Sequence, residues 1–180
     1  GMHRYIISNS DEIKDVLYVY AFFKLCGYKV EDINIDIVPL FETIEGLGNA
    51  QDVMRQLYEL PLYKKHIEKR GNYQTIMLGF SDGTKDGGYL KANWEIYETK
   101  ERLTKISEEY GIKVIFFDGR CGPPARGGGK THDFYASQGK TIANHKIEIT
   151  IQGQTITSVF GNKDQAKYNF EQLLTAGLEN

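Results

Sequence analysis

Cysteine is scarce in this chain: two among 180 residues, Cys26 and Cys121, with no framework spacing. That excludes a disulfide scaffold and fits a reducing compartment, so the expected location is the cytoplasm. Long apolar runs are missing too. The longest, Val16 to Phe23, stops at Lys24 and is far too short to span a bilayer. No signal-peptide pattern opens the chain, because Asp11, Glu12 and Lys14 fall where an apolar core would be needed. Charge of one sign is also lacking. Twenty-two Lys and Arg against 24 Asp and Glu leave a net −2, which favours neither a nucleic-acid partner nor an anionic membrane. The histidines His3, His66, His132 and His145 show no close pairing, which argues against zinc. Linkers, low-complexity tracts and internal repeats are absent. Residues 1–180 therefore read as a single domain with a real core.

What is present is an alternation of short apolar runs with amphipathic stretches. Strands are expected at His3–Ser8, Ile33–Phe41, Gln74–Phe80, Lys113–Phe117 and Lys146–Gln152. Between them, Ser10 is expected to cap a helix that ends at Gly27, and a second helix starts near Ala50. Pro61 opens a short third one. A long helix is expected from near Lys85 to Tyr110, with Leu90, Trp94 and Tyr97 on its apolar stripe. Glu98–Arg102 and Glu101–Lys105 would form i,i+4 pairs on its wet side. A closing helix carries Ala166, Phe170, Leu173 and Leu174 and stops at Gly177. Strands alternating with helices predict an α/β fold with parallel pairing.

The strand ends carry the chemistry. Strand two ends in Phe41-Glu42-Thr43, strand three in Ser81-Asp82, and strand four in Asp118-Gly119-Arg120. Parallel α/β folds gather such ends on one rim, where ligands bind. Two carboxylates there suit Mg²⁺ or Mn²⁺, and an arginine beside them suits a phosphate. Equally, such carboxylates can simply cap the following helix, Asp82 in particular. The segment from Gly119 to His132 holds five glycines, two arginines and a lysine, which suits a backbone that closes over an anion. Gly129-Lys130-Thr131 resembles the end of a nucleotide-binding P-loop, but Pro124 stands where that motif needs glycine. Cys121 beside Arg120 has no partner histidine nearby, so a cysteine nucleophile is disfavoured.

Four blocks, Val38–Thr43 (VPLFET), Leu78–Gly88 (LGFSDGTKDGG), Phe117–His132 (FDGRCGPPARGGGKTH) and Thr150–Ile156 (TIQGQTI), resemble phosphoenolpyruvate carboxylase, of a divergent bacterial type. The resemblance implies a central segment of a (β/α)₈ TIM-type barrel, about five βα units of it. It implies a Mg²⁺- or Mn²⁺-dependent, biotin-free lyase that joins bicarbonate to phosphoenolpyruvate, giving oxaloacetate and phosphate. By the same resemblance Glu42 and Asp82 are metal ligands and Lys85 lines the site. Arg120 grips the substrate phosphate, and Arg126 belongs to the mobile glycine-rich loop. The family usually has histidine at Asp118, glycine at Cys121 and proline at Lys130, and TEQGE where this chain has TIQGQ. Asp118 either pairs with Arg120 and weakens its grip, or is compensated elsewhere. The family's catalytic histidine lies upstream, so the chain alone is expected to be inactive, with the rest of the parent enzyme as its partner. Open strand edges invite self-association. A second reading is a non-catalytic homologue that binds a metal or a phosphorylated metabolite. A third, an unrelated phosphate-binding or nucleotide-hydrolysing domain, is opposed by Pro124.

Overall fold

The computed structural model describes residues 2–121, 123, 126–151 and 153–178. Gly122, Pro124 and Ala125 of the glycine-rich segment, Gln152, and the side chain of Cys121 lie outside the described residues. Among the described residues five strands are formed, β1 (Arg4–Ile7), β2 (Asp36–Phe41), β3 (Tyr73–Gly79), β4 (Lys113–Cys121) and β5 (Ile147–Ile151). They pair in sequence order, every neighbour parallel. The helices are α1 (Ile13–Leu25), α2 (Ile44–Glu59), α3 (Pro61–Lys69), α4 (Ser81–Gly87), α5 (Tyr89–Glu109), α6 (Thr131–Ala136), α7 (Gly153–Phe160) and α8 (Lys163–Leu178). The architecture is α/β, a curled half of a TIM-type barrel. None of the described helices is long and apolar enough to cross a membrane.

Side chains alternate across a strand, so every second residue meets the helices. Ile37 and Phe41 of β2, Ile76 and Leu78 of β3, and Val114 and Phe116 of β4 form that buried face. Leu47, Met54 and Leu57 of α2 and Ile96 and Leu103 of α5 cover it. The opposite face is concave. Arg4 of β1 makes two hydrogen bonds to Glu148 of β5, one of them 3.1 Å long, and its guanidinium lies 5.5 Å from the centre of the Phe117 ring. In a flat sheet these outer strands would stand roughly 19 Å apart, beyond the reach of the two side chains. The bridge therefore requires the curl. Arg70 adds a second tie at the same end, with its Nε 2.7 Å from Asp36.

Several local expectations need correction. Helix α2 begins at Ile44, six residues before Ala50, because the Thr43 hydroxyl accepts the Gly46 N–H at 2.9 Å and caps it there. Ser10 is not a cap: its buried hydroxyl donates to Ile7 and accepts the Leu40 N–H, while Glu12 and Asp15 start α1. The long helix is two, α4 and α5, broken at Gly88 with φ +80°. Leu90 and Trp94 are 82% and 59% exposed, since α5 turns Ala92, Ile96 and Leu103 to the sheet instead. Arg102 binds Glu95 at 2.8 Å rather than Glu98, and Glu101 accepts from Thr141 instead of pairing with Lys105. The last helix continues through Gly177 to Leu178. Strand two starts at Asp36, because Val30–Asp32 forms a 3₁₀ turn whose Val30 carbonyl accepts the Ile33 N–H.

Candidate active site

The rim is built where β2 and β3 end. Glu42 follows β2 directly, and its carbonyl accepts the Gly83 N–H at 3.0 Å, tying it to the first turn of α4, which carries Asp82. Gly79, the last residue of β3, makes the approach possible. A Cβ there would lie 2.6 Å from the Glu42 Cβ and 3.1 Å from its Cα. From β1, Asn9 in the left-handed region (φ +51°) donates its backbone N–H to Glu42 Oε1 at 3.2 Å. Asp82 Oδ1 accepts from Lys85 Nζ at 2.7 Å one helical turn on. That ion pair is exposed, so it contributes about 0–1 kcal/mol and yields readily to a stronger partner. The backbone of Glu42 is thus tied to the turn that carries Asp82 and Lys85. Asn9 was not foreseen, and only its position just past β1 could have suggested it.

Strand β4 is longer than the apolar run predicts. Asp118 and Gly119 pair with Leu78 and Gly79, so Asp118 and Arg120 lie within the strand rather than beyond it. Both meet the helices, Asp118 through Lys100 of α5 and Tyr135 of α6 and Arg120 through Phe134 of α6, across a register irregularity between Asp118 and Cys121. Arg120 is accordingly only 3% exposed. Its guanidinium stacks 4.2 Å from the centre of the Phe134 ring and 5.9 Å from that of Phe80. One long bond, Nη1 to the Gly129 carbonyl at 3.4 Å, covers it, and its Nε is buried without a hydrogen bond.

Asp118 is fully buried and does not turn to Arg120: among the described residues no hydrogen bond or ion pair joins them. Its Oδ2 accepts from Lys100 Nζ of α5 at 2.9 Å and from the Tyr135 hydroxyl of α6 at 2.8 Å. Lys100, 1% exposed, lies 5.1 Å from the centre of the Phe134 ring as well. Burial lowers the Lys100 pKa, and the Asp118 carboxylate opposes that shift. Removing either partner alone would strand a buried charge at a cost of about 3–5 kcal/mol. Lys100 had a signal in the sequence: it falls four residues after Ile96 and three before Leu103, a cation on the buried face of α5.

Gly127 of the glycine-rich segment packs against the start of α4. The Arg126 N–H donates to the Pro123 carbonyl at 2.8 Å, while the Arg126 residue is exposed. Gly127 (φ +80°) presses on the start of α4, where a Cβ would come within 2.7 Å of the Phe80 Cβ and 3.0 Å of its carbonyl oxygen. Among the described residues no hydrogen bond or ion pair joins Arg120 or Arg126 to Glu42 or Asp82. The arginines and the carboxylates therefore form two adjoining parts, joined through α4.

The carboxylate part fits a hard divalent cation by its donor chemistry. Glu42 has one oxygen engaged only by a backbone N–H, and Asp82 only by an exposed ammonium. Among the described residues no third His, Cys, Asp or Glu joins them, so other positions on such an ion would go to water or substrate oxygens. Compared with known protein families, residues 1–180 match the family described as phosphoenolpyruvate carboxylase.

Proposed function

The chain belongs to the phosphoenolpyruvate carboxylase family, and on that premise we propose that its rim cluster is the metal- and phosphate-binding half-site of a carbon–carbon lyase acting on phosphoenolpyruvate and bicarbonate. The observation that carries the reading is the tie between Glu42 and the first turn of α4, with Gly79 making room for it. Glu42 and Asp82 would hold Mg²⁺ or Mn²⁺, which would supply Lewis-acid stabilisation of negative charge on the substrate's enol oxygen. Lys85 lines the same rim.

In the reaction, a bicarbonate oxygen attacks phosphorus and the bond from phosphorus to the enol oxygen breaks, leaving carboxyphosphate and the enolate of pyruvate. Carboxyphosphate then parts into phosphate and carbon dioxide, and the enolate carbon attacks carbon dioxide to give oxaloacetate. No biotin is needed, because carbon dioxide arises in place. Arg120 would meet the phosphoryl oxygens with its edge while Phe134 holds its face. Its 3.4 Å bond to the Gly129 carbonyl is weak enough for an anion to displace. Arg126, exposed on the same segment, would follow that backbone down onto bicarbonate or phosphate. A closed glycine backbone would keep water from protonating the enolate.

The burial of Arg120 favours a second reading, a homologue that binds metal or a phosphorylated metabolite without turnover. Cytoplasmic location and dependence on the rest of a parent enzyme belong to the proposal as well. Titrating the chain with Mn²⁺, with and without phosphoenolpyruvate, tests it alongside Glu42→Ala and Asp82→Ala. Binding that both substitutions abolish is expected, tightened by phosphoenolpyruvate. Binding indifferent to both would sink the assignment, and binding with no oxaloacetate production when the chain is part of its parent enzyme would favour the second reading.

A further inference from the structure

We infer that Lys100 is a positioning residue that holds the Asp118 carboxylate away from Arg120, leaving that guanidinium to meet an oxyanion instead of an internal carboxylate. The inference rests on reading Arg120 as the phosphate ligand, and it adds to that reading the residue that makes it compatible with this sequence. Three observations carry it. Asp118 and Arg120 stand two residues apart on β4, both buried against α6, where a carboxylate and a guanidinium would be expected to pair. They do not. Lys100 and Tyr135 both take the same carboxylate oxygen, Oδ2, at 2.9 and 2.8 Å. Asp118 Oδ1 and Arg120 Nε are each left buried without a hydrogen bond. Each of the two side chains therefore keeps one buried polar atom without a partner.

Phe134 completes the arrangement. Its ring is shared, with the Arg120 guanidinium 4.2 Å and the Lys100 ammonium 5.1 Å from its centre. The two cations are thereby gathered around one aromatic ring. Lys100 also lies over Phe116 and Tyr135, at 5.3 and 5.7 Å, so its ammonium cannot leave without exposing a cation to an apolar shell. Gln138 offers it only a distant oxygen at 3.5 Å. Asp118 is the anchor that remains. The pair therefore neutralises itself inside the core, and the positive charge of Arg120 stays uncompensated and aimed at the segment from Gly127 to Gly129, where an anion would enter.

The test follows the Arg120 Nε–H signal by nitrogen-15 NMR in the full chain, with inorganic phosphate as the probe. In K100M the carboxylate loses its ammonium, and the expected result is a shifted Arg120 signal and phosphate affinity about tenfold weaker. Adding D118N to K100M should return the signal and bring affinity back to within about twofold of the starting value. An Arg120 signal and affinity unchanged in K100M would overturn the inference, as would failure of D118N to restore them. Should K100M not fold, recovery of the folded chain in K100M/D118N supports the pair and persistent unfolding overturns it. If phosphate leaves the Arg120 signal of the unsubstituted chain unmoved, the phosphate-ligand reading fails. The effect of K100M on that signal still decides whether Lys100 restrains Asp118.

Discussion

Lys100 and His66 are both titratable groups enclosed by the core, and they meet that condition in opposite ways. Lys100 keeps a counterion at 2.9 Å and stays among aromatic rings. His66 gives up its charge. Burial beside Tyr20, whose ring stands edge-on at 5.5 Å, lowers its pKa to about 4, with Arg70 adding to the shift. The unfolded chain, titrating near the ordinary value of about 6.5, then binds the proton that the folded chain refuses. Stability is therefore full above about pH 6.5 and falls as pH drops toward 4. The loss assigned to this residue should be on the order of 2 kcal/mol after allowing for solvent screening. Urea unfolding across that window should show a smaller loss in His66→Phe than in the unsubstituted chain. Parallel curves would remove His66 as the cause. The placement of Glu42 and Asp82 just beyond strand ends was legible in the sequence, Glu42 directly after β2 and Asp82 three residues past β3. The pairing of Asp118 with Lys100 was not, because it depends on which face of β4 Asp118 occupies and on how far that strand runs.

At the scale of the element, the rim depends on what happens in the few residues after each strand. Thr43 caps α2 the moment β2 ends, which leaves Glu42 no slack and fixes it between strand and helix. Gly79 ends β3 with no side chain, and Glu42 fills the place. Gly79→Ala should thus move Glu42 while the strand pairing persists. Mn²⁺ affinity is expected to fall about tenfold or more, with only a modest drop in Tm, as measured by titration and thermal unfolding of the same samples. Unaltered Mn²⁺ affinity would show that Glu42 is not a ligand or that the rim relaxes freely. The sequence located the five strands because each carries a short apolar or alternating run, although the start of β2 and the end of β4 were missed. It misjudged helix boundaries where capping and burial override propensity: α2 starts across Gly46 and Gly48, both poor helix formers. Trp94 misled for a related reason, since aromatic residues on a helix read as core until the sheet shows which side it covers.

For the molecule as a whole, βα alternation made the α/β class and its parallel sheet legible, whereas the curvature was hidden in a contact 144 residues apart, Arg4 with Glu148. Five strands leave β1 and β5 as edges. On β1, Tyr5 and Ile6 are exposed beside unpaired backbone groups, a surface that favours joining to another strand. Self-association of the chain is the expected outcome in sedimentation velocity, growing with concentration. A single monomeric boundary at every concentration would count against it. The Arg4–Glu148 bridge also has a consequence for the order of assembly. Each strand pairs with its immediate predecessor, so the sheet can grow one βα unit at a time with only short closures. When Arg4 meets Glu148, the intervening strands have already brought them near, and the bridge closes no flexible loop. It locks a curvature that must exist beforehand. It is expected to form late in folding and to open early in unfolding, so Arg4→Ala should speed unfolding and leave the folding rate nearly unchanged in stopped-flow measurements.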